Sequence, residues 1–593
     1  MQLPYCWARE LLLSTSYKGT TRKLKKAMHR KTRQGHSLSS LDGVAEFDLE
    51  APADDLSSTA LFILQGQNVS ARLTKSALQL THQGSCCPWR HEDLAVPFSE
   101  IFMAAKREGR GKHKAAWCSC SGPFCRRTKP AHCVIVHTFR RDKRWPCNWR
   151  PLRLTLYAES AELVSQWASD ISDAVRVSSS RPQSLLVFVN PFGGTRRAAA
   201  IWQTVLPVFQ LVGAKCEVVE TKWAAHAREL VEKLSLEELQ RHDGIIAVGG
   251  DGLFQELLNG LLAVRSNQQD ARSVAAKRLR LGHVPAGSTD AVAYSINGTR
   301  SAFTAAAHIA LGDRMGLDVM RVDSSQAEPV FSVCYAAYGY MADLVQSSEH
   351  LRWLGSLRLG LAGALNLLRG KSYQAQVHYL PSRSSTGGKL ECQSSCAICA
   401  AAVEHEHPNL PDFSRPSLSA SQHSHASQWQ HQNGQYKSIM VIVSPCRSDM
   451  SPAGLSRYSH LSDGRITLVL VKRCSVLQYL RFMATIPYTG VQAGPFADLI
   501  HAKAVEIIPE GEESLWNIDG ELHTGSIKAQ ERKRHSTAIP AQALLPAAVP
   551  LAARVQERKR RSPAIPAQAL LPAAVPLQLP RFQPLDEARC NPS

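Results

Sequence analysis

No stretch of this 593-residue chain comes near the ~18 successive apolar residues of a membrane-crossing helix; residues 359–368 are among the longest runs and fall well short. The N-terminus shows neither the apolar centre nor the small-residue cleavage site of a secretory signal. The 16 cysteines are therefore expected to be thiols or metal ligands in a reducing compartment. A Gly-x-x-x-x-Gly-Lys-Ser/Thr loop is missing, as are His-Arg-Asp and Asp-Phe-Gly, which excludes the two commonest designs for phosphoryl transfer. Acidic residues are in deficit, 50 against 69 Lys and Arg, for a net charge of +19. The excess is local: residues 18–33, 101–153 and 528–561 carry +8, +12 and +7, which leaves the remainder at −8. Clustered charge argues against a nucleic-acid protein and suits docking on anionic lipid or, for the terminal clusters, solvated tails.

What is present divides the chain into five segments. Residues 1–59 form a basic, disordered lead. Residues 60–177 alternate like short strands, as in His132-Cys-Val-Ile-Val-His137, around a basic Gly/Cys/Pro loop. They close on a helix whose Leu163, Trp167, Ile171 and Val175 form an apolar stripe behind Glu159-Ser160. From 181 to 318, strands at 184–190, 215–220 and 242–248 alternate with helices, the pattern of a parallel sheet covered on both faces. Residues 319–525 read as a second, mostly β domain, interrupted by a low-complexity Ser/Gln/His insertion at 382–436. Residues 526–593 read as a disordered basic, Pro/Ala-rich tail, in which 530–551 and 556–577 match at 20 of 22 positions.

The most informative turn is Val248-Gly-Gly-Asp-Gly252, between a strand and a helix bearing Glu256 and Asn259. Glycines there let backbone approach a phosphate while helix-start N–H groups point at the anion, and Asp251 could reach an attacking hydroxyl. Asp-Gly alone is an ordinary turn. Asn190-Pro-Phe-Gly-Gly194 and Pro285-Ala-Gly-Ser-Thr-Asp290 also follow apolar strands, so three Gly-containing turns are expected along one rim.

These turns, with Gly249-Gly-Asp-Gly-x-x-x-Glu-x-x-Asn-Gly260 and a late Asp519-Gly-Glu521, resemble the diacylglycerol kinase catalytic family of lipid kinases over roughly residues 60–522. Within it, Gly287-Ser-Thr-Asp290, Tyr338-Gly-Tyr-Met-Ala-Asp343, Ser348-Glu-His-Leu-Arg-Trp-Leu-Gly355 and Cys392-x3-Cys396-x2-Cys399 are similar to the ceramide kinase branch. The resemblance implies a pleckstrin-homology-like β domain, then an α/β nucleotide-binding domain and a mainly antiparallel β-sandwich domain. It also implies ATP and Mg²⁺ as cofactors, ceramide as acceptor and Asp251 as catalytic base. Asn190, Pro191, Gly193, Gly194, Thr221, Gly249, Gly250, Gly252, Ser288, Arg352, Asp519 and Glu521 would hold the nucleotide, the last two also Mg²⁺. Asp343, Thr289 and Asp290 would meet the substrate. For Glu256 and Asn259, helix packing and ligand contact are equally open.

Cys392, Cys396 and Cys399 could bind Zn²⁺ given a fourth ligand, with Cys446 or a histidine of the insertion as candidates, or could be reduced thiols ordering a loop. Residues 476–483 are apolar enough for calmodulin, with core packing as the other use. The expected setting is cytoplasmic, with peripheral membrane association through the N-terminal domain. Other readings are a sphingosine or diacylglycerol kinase, a soluble nucleotide-cofactor kinase, and an inactive membrane-binding adaptor. The adaptor reading draws on one departure from the family: after Leu522 the chain turns basic where relatives continue into a final strand.

Overall fold

The computed structural model describes residues 58–535 apart from 66, 83–92, 109–131, 178–180, 195, 267–269, 325–327, 383–390, 393–395, 397, 400–428 and 511–514. The basic lead, most of the insertion, the Cys-rich loop and all but the start of the tail lie outside the described residues.

Seven strands come first: β1 (Thr59–Leu64), β2 (Gln67–Leu73), β3 (Ala77–His82), β4 (Leu94–Pro97), β5 (Met103–Glu108), β6 (His132–Arg141) and β7 (Trp149–Ala158). They form one antiparallel sheet in the order β4-β3-β2-β1-β7-β6-β5. Period-two alternation sends Val69, Ala71 and Leu73 inward. The helix α1 (Ala161–Val177) follows Ser160, whose hydroxyl accepts the Leu163 N–H at 3.0 Å. Its buried face is Val164, Trp167, Ala168, Ile171 and Val175, while Leu163 is only half-buried. A 3.6-residue turn rotates a strict four-residue stripe away from the core, which explains that shift from the expected face. Trp167 meets Phe62 edge-on at 4.9 Å.

The next segment alternates as its sequence pattern predicts. It comprises β8 (Ser184–Val189), α2 (Ala198–Leu211), β9 (Lys215–Glu220), α3 (His226–Lys233), α4 (Leu236–Arg241), β10 (Gly244–Gly249), α5 (Asp251–Arg265), α6 (Ala271–Arg278), β11 (Arg280–Pro285), α7 (Ala291–Asn297) and α8 (Ala302–Leu311). The four strands are parallel, in the order β11-β10-β8-β9. Because β8, β10 and β11 are neighbours, the turns that follow them leave the sheet side by side. The N-terminal sheet shares a core with this segment: Phe102, Phe139 and Trp149 pack with Leu185, Val187 and the α8 alanines. Phe139 and Trp149 stack at 3.8 Å, and the Trp149 N–H donates to Thr304 Oγ1 at 2.9 Å. In the loop between β6 and β7, Cys147 Sγ sits so close to Gly298, the residue ending α7, that a Cβ there would lie 2.8 Å away.

The last segment holds β12 (Leu317–Ser324), β13 (Val330–Ser332), β14 (Tyr335–Gly339), α9 (Tyr340–His350), a 3₁₀ turn (Arg352–Leu357), α10 (Arg358–Arg369), β15 (Tyr373–Pro381), β16 (Gln430–Ile442), β17 (Ile466–Lys472), α11 (Val476–Thr489), β18 (Ala497–Pro509), β19 (Leu515–Ile518), β20 (Glu521–Thr524) and β21 (Ile527–His535). All strand pairs here are antiparallel. The long strands β16 and β18 each pair with β15 along one half and with β17 along the other, which folds the sheet around an aliphatic core containing Trp516 and Tyr436.

Two expectations change here, and a third is qualified. Residues 430–436, assigned to the disordered insertion, are the first half of β16 and pair with β15. The final strand exists: β21 lies between β12 and β18, so order continues past Leu522 and 527–535 do not belong to the tail. Of the apolar residues offered to calmodulin, Tyr479, Phe482 and Met483 are buried on α11, while Val476 and Leu477 are exposed.

Candidate active site

The three glycine turns meet. A Cβ on Gly287 would lie 2.5 Å from Gly250 Cα, one on Gly250 3.2 Å from Gly287 Cα, and one on Gly194, at φ +55°, 2.8 Å from Gly287 Cα. Backbone this close leaves no room for side chains, so the rim requires glycine for contact between its own turns. Asn190 builds the first turn, accepting the Phe192 and Gly193 N–H groups on Oδ1 at 2.9 and 3.0 Å. Pro191 lies half-buried beside it, and Thr221 is buried at the end of β9 with its N–H on the Val189 carbonyl. His283, which pattern reading passed over, holds the second turn by a 3.1 Å contact from Nε2 to the Gly249 carbonyl. Gly252 is different: a Cβ there would meet nothing within 4 Å. Packing does not require that glycine, and the space beside the start of α5 is open.

Asp251 occupies the first position of α5, and two backbone donors from α7 fix its carboxylate. The Val292 N–H donates to Oδ1 and the Ala291 N–H to Oδ2, both at 2.9 Å. One helix start thus presents the acid, and a second orients it. Ser288 is exposed and Thr289 half-buried on the third turn.

Asp290 has another task than the one expected of it. Its Oδ1 accepts the Gly287 N–H at 2.8 Å, its Oδ2 takes Arg300 Nη2 at 2.8 Å, and the residue is 1% exposed. It folds the turn and has no face left for substrate. Burial pushes its carboxyl above the usual range, against the pull of His283 and Arg300. Arg300 also donates to the Gly287 carbonyl at 2.9 Å and pairs with Asp449 at 3.2 Å. Replacing Arg300 by Ala leaves that carboxylate buried and unpaired. We expect a loss of one to about 3 kcal/mol, discounted for the arginine's partial exposure, read as a lower urea midpoint with an unchanged slope.

Asp519 and Glu521 do not act as a pair. Asp519, at φ 49°, turns inward: Oδ1 accepts Ser332 Oγ, Cys334 N and Tyr335 N at 2.9, 3.1 and 2.8 Å, and Oδ2 accepts Val333 N at 2.9 Å. Burial pushes its carboxyl up to about 6 in spite of these donors. A carboxylate spent on four donors clamps the β19–β20 hairpin to β14 and does not fit the role of a Mg²⁺ ligand. Glu521 is exposed, and its charge adds to the burial that pushes the Glu256 carboxyl up. Glu256 accepts the Ala227 N–H at 3.2 Å at the start of α3. Asn259 bonds both the N–H and the carbonyl of Phe331, tying α5 to β13. Packing thus accounts for both residues.

Asp343 lies in the first turn of α9, where its Oδ2 accepts the Tyr373 hydroxyl and sits 3.9 Å from Lys371 Nζ. Arg352 opens the 3₁₀ turn, and its side chain lies outside the described residues. The cysteine triplet converges elsewhere, against Leu461 and His460. Among the described residues the fourth member is His460: Cys446 bonds within its own turn to Ser444, His431 pairs with His378 across β15 and β16, and the other histidines of the insertion lie outside the described residues.

Residues 184–322, which hold the parallel sheet, the three glycine turns and the helix-start aspartate, match the diacylglycerol kinase catalytic domain. A ceramide kinase of Homo sapiens is 32% identical over 400 residues, 66% of this chain and 72% of that protein. One from Oryza sativa subsp. japonica is 27% identical over 65% of this chain and 81% of its own length. A putative diacylglycerol kinase structure from Bacillus anthracis str. Sterne aligns at a TM-score of 0.41 and 15% identity, over 62% of this chain and all of that one. The chain belongs to the ceramide kinase family.

Proposed function

We propose that this protein transfers the γ-phosphoryl group of ATP to the primary hydroxyl of ceramide, giving ceramide 1-phosphate and ADP. The observation that carries the reading is Asp251, held by two α7 N–H groups where three glycine turns converge. The hydroxyl oxygen attacks the γ-phosphorus in line, the bond to the β–γ bridging oxygen breaks, and the hydroxyl proton passes to Asp251. The turns at 190–194, 249–252 and 287–288 line the triphosphate, with the N–H groups at the start of α5 turned toward it. Ceramide is the acceptor named for the Homo sapiens and Oryza relatives.

A lipid acceptor needs a route from the bilayer. Leu361, Leu365 and Leu368 are 44%, 41% and 76% exposed along one face of α10, and Leu357, which caps its start, is 63% exposed. The opposite face packs on α9, which carries Asp343, through the Tyr340 hydroxyl on the Gly363 carbonyl. An exposed stripe of this kind suits insertion among lipids. We read the N-terminal sheet and its helix as a pleckstrin-homology-like module that docks at the cytoplasmic face. The loop at 142–148 exposes Trp145 beside Lys143 and Arg144, while Arg141 is committed to Glu100.

Radiolabelled ATP with Mg²⁺, offered with ceramide, sphingosine and diacylglycerol in matched vesicles, tests the reading. Ceramide should be the preferred acceptor; equal labelling of another lipid overturns the substrate, and no transfer overturns the kinase. Leu361→Asp with Leu365→Asp should cut phosphorylation of vesicle-borne ceramide by about tenfold or more while sparing a soluble short-chain ceramide. Equal loss on both substrates would remove the membrane role of α10.

A further inference from the structure

Cys392, Cys396 and Cys399 follow β15, and His460 precedes β17, yet one ligating atom from each lies within 4.8 Å of all the others. Cys392 Sγ is 3.7 Å from Cys399 Sγ, and Cys396 Sγ is 3.3 Å from His460 Nδ1. Tetrahedral zinc with Zn–S near 2.3 Å and Zn–N near 2.0 Å sets sulfurs about 3.8 Å apart and sulfur and nitrogen about 3.5 Å apart. A disulfide needs about 2.05 Å. The observed spacings therefore match a shared metal far better than a bond between two cysteines.

The surroundings point the same way. Cys392 and Cys399 are 1% exposed and His460 2%, packed with Leu461, Met315 and Leu317. His460 Nε2 is buried with no hydrogen-bond partner among the described residues, so one donor or acceptor of that ring is already given up. Thiols are weak hydrogen-bond donors, and three of them gathered round one imidazole gain little from one another. The 460 segment is itself rigidly placed: the Asp318 N–H donates to the Leu461 carbonyl at 2.6 Å, and the Gly464 N–H to Asp318 Oδ2 at 2.7 Å.

We propose that Cys392, Cys396, Cys399 and His460 form a closed, structural Zn²⁺ site that staples the chain after β15 to the segment before β17. Three sulfurs and one nitrogen complete a tetrahedron and leave no open position, so the ion serves stability and not the transfer reaction. Binding releases the three thiol protons to solvent as thiolates replace water on the ion. The site stands or falls independently of the lipid acceptor.

The full chain, purified reduced without chelator and reloaded with zinc, should carry about one zinc per molecule by mass spectrometry. Cobalt in its place should give thiolate-to-metal charge-transfer bands and intense visible bands of a tetrahedral ion. His460→Cys should keep zinc, whereas His460→Ala and Cys392→Ser should lose it. Should those two fail to fold, the wild type decides: a strong chelator should lower its melting temperature, and added zinc should restore it. Only trace zinc after reloading, a melting temperature indifferent to the chelator, or a Cys392–Cys399 disulfide in the reduced preparation would overturn the site.

Discussion

Asp251→Asn is expected to lower ceramide phosphorylation about a thousandfold while the protein stays folded and still binds ATP. The carboxylate has one oxygen on each of two N–H groups, those of Ala291 and Val292. An asparagine can satisfy only one of them, and its amide must face the other donor. The substitution thus removes the proton acceptor and costs about 1–3 kcal/mol locally, since a donor at the start of α7 loses its partner. Thermal stabilisation by ATP and Mg²⁺ separates the two effects, because a ligand of the native state raises the midpoint whether or not chemistry follows. Near-normal turnover in this variant would sink the role given to Asp251. Lost stabilisation by ATP together with lost turnover would show that the acid mainly holds the rim.

Ending the chain after Leu522 is expected to abolish cooperative folding of the last segment and with it all activity, whereas ending it after Ile539 should change activity less than about twofold. The difference is β21. It pairs with β12 from Ser324↔Ile527 to Leu317↔His535 and with β18 from Ile507↔Ile527 to Ala504↔Gln530. Its loss leaves two facing strand edges without partners in the middle of a sheet, which is worse than an exposed edge because water does not readily replace the ladder. Ile527 and Ala529, 2% and 0% exposed, go with it; the isoleucine alone represents roughly 2–3 kcal/mol of burial. The buried Trp516 also loses the Gly525 carbonyl that accepts its indole N–H at 2.8 Å. Full activity in the chain ended after Leu522 would refute the placement of β21, and inactivity of the chain ended after Ile539 would give the repeat-bearing tail a role.

The contrast between the two segments shows which physics a sequence displays openly. Strands β8 and β10 are buried on both faces, so they appear as apolar runs, and the turns after β8, β10 and β11 need glycine because the backbones touch. Both signals are local, and Asp251 is found from them. Strand β21 displays little, since Ile527 and Ala529 are followed by the charged and polar run Gln530-Glu-Arg-Lys-Arg-His535. Gln430 to Tyr436 resembled the insertion because its neighbours are polar, although β15 pairs with every residue of it. Arg300 and His283 act across turns they do not belong to, and His460 reaches its cysteines from 61 to 68 positions away, so periodicity cannot reveal them. Asp519 was found by its motif and given the wrong work, because the four donors that occupy it come from residues 332–335.

Helix α7 has a consequence for how the molecule meets a bilayer. One end offers the N–H groups of Ala291 and Val292 to Asp251; the other ends at Gly298, against Cys147 in the loop that exposes Trp145. Seven residues at ~1.5 Å each span on the order of 10 Å. On the docking proposed above for that loop, the helix would hold Asp251 at roughly that distance from it, and the shared Phe139–Trp149 core ties the loop to the α/β segment. On the proposed function, so short a reach would let ceramide present its hydroxyl to Asp251 while its hydrocarbon chains stay in the membrane.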